Sequence, residues 1–328
     1  MRLVAVTRIL DETDIVESFV RHTASLVDHP IFLDNGSQDG TLDILTSLSK
    51  EGLPISVMQN KCVSFNEGSH LTFLFREAAT KHGADWVACL DADEFLDDRL
   101  TDGGLISMLW QTVDTQPDAV AIELPMAEYI ATREDLVCEM IVPVRIRKRR
   151  ELSGNRKVIV RVRPETREIE IQHGGHGVKH GWPPGKVVYQ DGLRLAHYSE
   201  RSPFQYITKF VRGWSRVLAA GTELAASGHA YHYKSPYESL RDHPEQILRN
   251  DWFMGFKNES PLLSVDPIRY SGGTLRYTAP NDEAMRAVRS LMTLLHDLAL
   301  RHGEILDAFP EVRAQVANWD AQCRVIIQ

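Results

Sequence analysis

The amino-terminal third of the chain alternates between short apolar segments and longer segments whose apolar residues recur at helical spacing. The spacing predicts strands at Leu3–Thr7, Pro30–Leu33, Ile55–Met58 and Trp86–Leu90, with intervening helices at Asp14–Leu26, Leu42–Ser49 and His70–His82. A chain that alternates in this way builds a sheet of parallel strands with helices on both faces. Ligands bind beyond the carboxyl ends of the strands in such sheets. The residues that follow each strand are therefore the first candidates for a functional site.

Composition narrows the classes of function. The chain has 328 residues and a net charge of −8, which argues against general nucleic-acid binding because that needs a basic surface. Its 4 cysteines form no CxxC pair, so neither a zinc site nor a disulfide framework is indicated, and a cytoplasmic location is expected. No segment reaches the roughly 20 apolar residues that span a bilayer. Any membrane association is therefore expected to be peripheral, at the inner face, and a homo-oligomer remains open.

Two carboxylates follow the fourth predicted strand. Asp91 and Asp93 are two residues apart, which points both side chains the same way at the edge of the sheet. Such oxygens suit Mn²⁺ or Mg²⁺, and these ions in turn bind phosphate. The alternative is a solvated acidic turn, since so short a motif is a frequent chance match. The position at a strand end, with Phe95–Leu96 anchoring the other side, favours the metal site.

Asp34 occupies the equivalent position after the second strand. A carboxylate there can accept hydrogen bonds from a nucleotide base or from ribose hydroxyls, and Gly36 and Gly40 let a ligand approach the backbone. The alternative is an Asx-turn that caps the next helix. We favour the nucleotide contact for Asp34 and the capping role for Asp39 and Thr41.

These two segments, Leu33–Thr41 and Asp85–Leu96, together resemble the glycosyltransferase family 2 superfamily, most closely its DxDEF-containing branch related to family 92. The later segment His197–Ser202 is similar to the same branch, and the resemblance ends near residue 215. It implies an α/β GT-A fold, a Rossmann-like mixed sheet that binds a nucleotide-sugar. In that fold Asp34 would contact the base, Asp91 the ribose and a metal-bound water, and Asp93 the metal.

The resemblance implies further site residues. The third metal ligand is expected to be His197, with His173 and His176 as alternatives. The branch usually has Asn-Glu after the first strand, and here only Glu12 matches. Contacts to the nucleotide are expected from four charged residues: Arg8, Glu12, Lys157 and Arg201. Three carboxylates are candidates for the base that takes a proton from the acceptor hydroxyl: Glu94, Asp191 and Asp135, the last beside Glu134 in a polar stretch.

A basic, alternating segment lies further along the chain. Lys157–Arg163 places valines on one face, and a turn leads into a second alternating run, Arg167–Gln172, so an antiparallel hairpin is predicted. Its charged face is either solvated or a clamp for a diphosphate, with Lys157 as the first residue to test. We expect a GT-A domain over residues 1–200 and a mostly helical region over 201–328 that binds the acceptor or forms an oligomer, including a helix over Asn281–His302.

The sequence thus predicts a metal-dependent glycosyltransferase, inverting by resemblance, that moves a sugar from a nucleotide-diphospho-sugar, with UDP favoured, to a glycan or lipid-linked acceptor in surface polysaccharide synthesis. One alternative is a nucleotidyltransferase, although the glycine-rich loop expected after the first strand is missing from Val6–Leu10. Another is a non-catalytic carbohydrate-binding protein on a decayed transferase fold, against which the Asp91/Asp93 pair argues.

Overall fold

A computed structural model describes residues 1–132, 135, 138–152, 154–228, 230–245, 263–280 and 283–322. In this part of the chain, nine strands form one mixed sheet: β1 (Leu3–Ile9), β2 (His29–Asp34), β3 (Ser56–Gln59), β4 (Trp86–Cys89), β5 (Glu94–Asp97), β6 (Ala119–Glu128), β8 (Arg156–Arg161), β9 (Lys186–Tyr189) and β10 (Arg194–His197). Two short strands, β7 (Lys148–Arg149) and β11 (Ser264–Val265), pair separately. Helices lie between many of these strands and make up most of the carboxyl-terminal region.

The described helices are α1 (Val16–Ala24), α2 (Thr41–Glu51), α3 (Glu67–Thr80), α4 (Gly104–Thr115), α5 (Val142–Arg145), α6 (Pro203–Ala219), α7 (Thr222–Ala226), α8 (Lys234–Asp242), α9 (Glu283–Ala308) and α10 (Pro310–Asp320). Three 3-10 turns lie at Pro164–Thr166, His173–Gly175 and Tyr231–Tyr233. None of the described helices combines the length and the apolar character needed to cross a bilayer. The predicted α/β fold with a mostly helical carboxyl-terminal region is confirmed, although the predicted helix start at Asn281 lies outside the described residues.

The sheet runs in the order β3-β2-β1-β4-β8-β6-β10-β5, and β9 also pairs with β6. The four strands predicted at the amino terminus pair in parallel, so their carboxyl ends meet at one edge. The predicted hairpin is wrong, because β8 lies between β4 and β6 and is antiparallel to both, while residues 167–172 form no strand. A strand at the centre of a sheet is covered on both faces, which explains why Lys157 and Ile159 are buried as well as the valines.

Apolar side chains fill both faces of this sheet. On one face, α1 and α2 pack over Phe19, Phe32 and Trp86 in the larger core. On the other, α3 packs with Leu74 and Phe75 against the valines of β8. These two layers hold the strand ends in place, and with them the residues that follow the strands.

The carboxyl-terminal region closes over this sheet. Ser202 caps the amino terminus of α6, because its hydroxyl accepts a hydrogen bond from the amide of Gln205. Helix α9 packs along α6. Residues 263–280, which we call the strap, run back across the first helices. Asp266 of the strap pairs with Arg99 and Arg149, at 3.1 Å and 2.7 Å. The region beyond residue 200 is therefore joined to the sheet by specific contacts as well as by the chain.

Candidate active site

A cavity of about 640 Å³ opens at the carboxyl edge of the sheet. Its walls come from the ends of β1, β4, β6 and β10, from α6, and from the amino-terminal half of α9. The metal-site candidates Asp91, Asp93 and His197 all line it, as do Arg8 and Glu12. The sheet therefore gathers residues from distant parts of the sequence at the edge that the alternation predicted.

Asp93 lies at the floor of the cavity, 4% exposed. One carboxylate oxygen, Oδ2, accepts a hydrogen bond of 2.8 Å from Lys209 Nζ. Burial opposes ionisation, but the charges of Lys209, His197 and Arg201 hold the pKa of Asp93 well below its ordinary value. Asp93 is therefore an anion at neutral pH, fixed by cations from two later elements.

His197 ends β10, beside Glu128 on β6 and Glu94 on β5. Its Nδ1 lies 2.7 Å from Glu128 Oε1, and its Nε2 lies 3.6 Å from Asp93 Oδ2. Burial disfavours the charged ring, yet the carboxylates of Asp93 and Glu128 raise the pKa of His197 to about 10. A histidine held by a carboxylate at Nδ1 presents Nε2 in a fixed direction, which is how proteins orient metal-binding imidazoles.

Lys157 holds the other side of the acidic motif. Its ammonium group lies 2.7 Å from Asp91 Oδ2 and 2.9 Å from Glu94 Oε2, and the side chain is 1% exposed. The same Glu94 oxygen accepts the amide of Asp91 at 2.9 Å, and burial raises the pKa of Glu94 to about 7. Lys157 was expected to contact the nucleotide, but in this structure it is enclosed with two carboxylates. Both Lys157 and Glu94 therefore brace the turn that carries Asp91.

Arg201 lies beneath the cavity wall with a fully buried side chain. Its guanidinium pairs with Glu12 and with Asp14, the latter at 2.7 Å, and donates to the carbonyl of Tyr198 at 3.0 Å. Burial raises the pKa of Glu12 to about 7 even though Arg201 acts against this shift. In these contacts Arg201 joins the loop after β1 to the loop after β10, whereas Glu12 reaches the cavity.

The chemistry of these donors suits a hard divalent cation. Carboxylate oxygens of Asp91 and Asp93 and the imidazole Nε2 of His197 are the ligand types that Mn²⁺ accepts, and the ring of His197 would release its proton when the ion binds. Within the described ranges, no three His, Cys, Asp or Glu side chains are already arranged around one metal position. Asp91 lines the cavity with a side chain that is 30% exposed, and its Oδ2 lies 2.7 Å from Lys157 Nζ. The donor set fits the ion, with Lys157 and Lys209 as counter-ions of the two carboxylates.

Asp34 adopts a different set of contacts. Its buried carboxylate accepts the amide of Ser37 at 3.2 Å and the side-chain amide of Gln59 at 3.0 Å. These are contacts of a turn, as in the Asx alternative, and Asp34 is not among the described residues that line the cavity. The nucleotide contact of Asp34 therefore stays a prediction. Asp39 accepts the amide of Thr41 at 3.0 Å, but the N-cap residue of α2 is Gly40 and Thr41 is the first residue of the helix.

Two of the proposed bases lie away from the cavity, whereas Glu128 and Glu200, which the sequence did not single out, line it. Asp135 accepts the amide of Thr132, Asp191 is exposed, and neither is among the described lining residues, while Glu134 lies outside the described residues. Glu200, by contrast, lines the cavity, and burial raises its pKa to about 7. Glu128 joins it at the end of β6. Glu200 could have been identified from the sequence because it lies three residues after His197. No nearby sequence feature pointed to Glu128.

A protein-family model matches part of the chain. Residues 13–163 match the family model described as Glycosyl transferase family 2. Among curated proteins, none matches the chain.

Solved structures similar to this chain include the three that follow, each with its sequence identity, coverage and TM-score. S. aureus TarS 1-349 is 12% identical over 76% of this chain and 74% of its own, with a TM-score of 0.37. The mannosyltransferase PcManGT from Pyrobaculum calidifontis, in complex with GDP-Man and Mn²⁺, is 10% identical over 90% and 87%, with a TM-score of 0.40. Glucosyl-3-phosphoglycerate synthase from Mycobacterium tuberculosis, with Mn²⁺ and UDP, is 19% identical over 40% and 44%, with a TM-score of 0.26.

Proposed function

We propose that this chain, whose residues 13–163 match the model of glycosyl transferase family 2, is a glycosyltransferase that transfers a sugar from a nucleotide-diphospho-sugar in a metal-dependent, inverting reaction. UDP is the favoured nucleotide, and the acceptor is a glycan or a lipid-linked glycan of surface polysaccharide synthesis. The protein works at the inner face of the membrane without spanning it.

The observation that carries the proposal is the meeting of His197 with Asp91 and Asp93, the two aspartates within the segment that matches the family 2 model. Asp91 and Asp93 lie in the turn between β4 and β5, His197 ends β10, and all three line a cavity large enough for a nucleotide-sugar. A structural acidic turn would not need a half-buried imidazole 3.6 Å from Asp93 and oriented by Glu128. This arrangement favours a binding role over a solvated turn.

Asp91, Asp93 and His197 would hold Mn²⁺ or Mg²⁺. Once bound, the ion would supply positive charge for the diphosphate that leaves the sugar. The surrounding residues keep the donors ready: Glu128 orients the ring of His197, and Arg201 fixes the backbone next to it through the carbonyl of Tyr198.

Glu200 is the residue we assign to the acceptor proton. A general base works best when its pKa lies near the working pH, and burial raises the pKa of Glu200 to about 7. Glu200 also faces the cavity, which Asp135 and Asp191 do not within the described part of the chain. The carboxylate would accept the proton of the acceptor hydroxyl as that oxygen attacks the anomeric carbon.

The test is ligand-dependent thermal stabilisation of the full chain. UDP-, GDP- and CMP-sugars are screened with Mn²⁺ and with EDTA. One nucleotide class should raise the melting temperature when Mn²⁺ is present, by the equivalent of about 2.7 kcal/mol at a ligand concentration of 100 times Kd. Asp93→Asn should abolish this response, and Asp102→Asn, an exposed aspartate outside the cavity, should keep it. A wild-type chain that responds to no nucleotide-sugar contradicts the proposal.

A further inference from the structure

Three arginines on the cavity wall form no ion pair with Asp91 or Asp93 among the described residues. Arg8 lies near the end of β1, and Arg212 and Arg216 lie one turn apart on α6, so the last two share a helix face. We call them the arginine cluster. Arg216 is 4% exposed, and the side chains of Arg8 and Arg212 are 15% and 12% exposed. Three guanidinium groups are thus withdrawn from water around one side of the cavity.

The carboxylates near the arginine cluster do not balance its charge. Arg8 is 3.7 Å from Glu67, which is a long ion pair, and Arg212 pairs with Asp11. Among the described residues, Arg216 has no carboxylate within 4.0 Å; its guanidinium donates instead to the carbonyls of Cys62 and Ser64, at 2.8 Å and 3.1 Å. Asp297 also acts on Arg212, but it pairs with Lys61 at 2.9 Å, so the cations of this region outnumber its anions.

The hydrogen-bonding capacity of the arginine cluster is also incomplete. In the described part of the chain, the Nε of Arg8, of Arg212 and of Arg216 is buried without a hydrogen-bond partner. A buried donor that lacks a partner costs about 1–3 kcal/mol, and more when it is charged. Burial and the charges of Arg8 and Arg212 lower the pKa of Arg216 to about 9, which agrees with this excess of positive charge. The protein gains by binding an anion here.

The geometry points to a phosphate group as that anion. A guanidinium offers several N–H donors in one plane, and these match the oxygens of phosphate as paired hydrogen bonds. We infer that Arg8, Arg212 and Arg216 form a phosphate-binding site in the cavity, separate from the carboxylates that would hold the metal. The phosphate comes either from the diphosphate of the donor or from an anionic acceptor, and in this the inference rests on the proposed function.

Pyrophosphate is the probe that tests the arginine cluster without a metal. The full chain in EDTA, at constant ionic strength, should bind pyrophosphate by calorimetric titration. Arg216→Gln and Arg8→Gln should each weaken this binding at least tenfold. Arg216→Lys keeps the charge but loses the planar fork, and it should also bind more weakly. Arg289→Gln, at an exposed arginine of α9, is the matched control and should bind as the wild type does.

Two further measurements distinguish the source of the phosphate and guard against misfolding. If Arg216→Gln weakens the binding of UDP in EDTA tenfold, the site takes the donor diphosphate; if UDP binding is unchanged while pyrophosphate binding is lost, it takes a phosphate of the acceptor. Circular dichroism identifies any variant that fails to fold, and Arg8→Gln then replaces Arg216→Gln. Equal binding of pyrophosphate to the wild type and to both glutamine variants, or no binding at all, overturns the inference. The Asp93→Asn test is independent, so either proposal can fail alone.

Discussion

Glu17, on α1, holds the strap against the sheet, and replacing it with glutamine tests whether this contact anchors the carboxyl-terminal region. Its carboxylate is fully buried. Oε1 accepts the amide of Arg276 at 2.6 Å and Nε of Arg21 at 2.9 Å. Oε2 accepts the amides of Tyr277 and Thr278, at 2.8 Å and 2.6 Å, and the hydroxyl of Thr278 at 2.9 Å. Donors therefore surround both oxygens.

The size of the effect follows from this arrangement. A glutamine amide replaces one oxygen by an NH₂ group, and in either orientation that group faces at least two donors. Each hydrogen bond to a charged group contributes about 1.5–3 kcal/mol, so Glu17→Gln should lower the free energy of unfolding by about 3 kcal/mol. At about 2.1 cal/mol/K per residue, the unfolding entropy of 328 residues is about 0.7 kcal/mol/K, so a loss of about 3 kcal/mol corresponds to a fall in Tm of about 4–5 °C.

The effect should depend on pH. Burial opposes ionisation of Glu17, but the backbone donors of Arg276, Tyr277 and Thr278 lower its pKa below the ordinary 4.5. A carboxylate with a depressed pKa stabilises the fold above its unfolded pKa and loses that contribution as the pH falls through the folded value. The difference in free energy of unfolding between the wild type and Glu17→Gln should therefore be largest at pH 7 and become smaller below about pH 4.

Urea unfolding, followed by tryptophan fluorescence, measures this difference in free energy of unfolding. Hydrogen exchange of the amides of residues 276–278 shows whether the loss of stability is at the strap. The matched control is Glu168→Gln, whose side chain is 91% exposed and whose loss should change little. The reasoning is refuted if Glu17→Gln lowers the free energy of unfolding no more than Glu168→Gln does. It is also refuted if the amides of the strap exchange at the wild-type rate in Glu17→Gln.

Three other predictions concern the cavity and its support. Lys157→Met should destabilise the fold by about 3–5 kcal/mol in urea unfolding, because it leaves two carboxylates without their cation. The double variant Lys157→Met with Glu94→Gln should recover part of that loss. Equal stability of Lys157→Met and the wild type would contradict the bracing role of Lys157. Glu200→Gln should lower kcat about 10²–10⁴-fold while donor affinity stays the same, and unchanged kcat would exclude Glu200 as the base. Gly213→Ala should loosen the contact between α6 and the turn Tyr231–Tyr233, because a Cβ there would lie 2.5 Å from the ring of Tyr233; faster proteolysis near residue 231 checks this.

Much of the fold could be read from local pattern. The alternation of apolar strands and helices predicted β1 to β4 and the helices between them, and it placed Asp91 and Asp93 at a strand end, because strand and helix periods are properties of neighbouring residues. The resemblance added the choice of His197, which the structure brings next to Asp93. The order and direction of β8 were not predictable, since alternation within a strand does not say which strands pair with it.

The rest of the site was decided by tertiary structure. Lys157 meets Asp91 across 66 positions of the sequence, and Lys209 meets Asp93 across 116, so no local pattern could identify these pairs. Glu17 is separated from its donors in the strap by about 260 positions. The sequence by itself determined the kind of sheet and the edge at which ligands bind. Which charges face one another at that edge depended on packing between distant segments, because an ion pair forms only where the folded chain brings its two partners within a few ångströms.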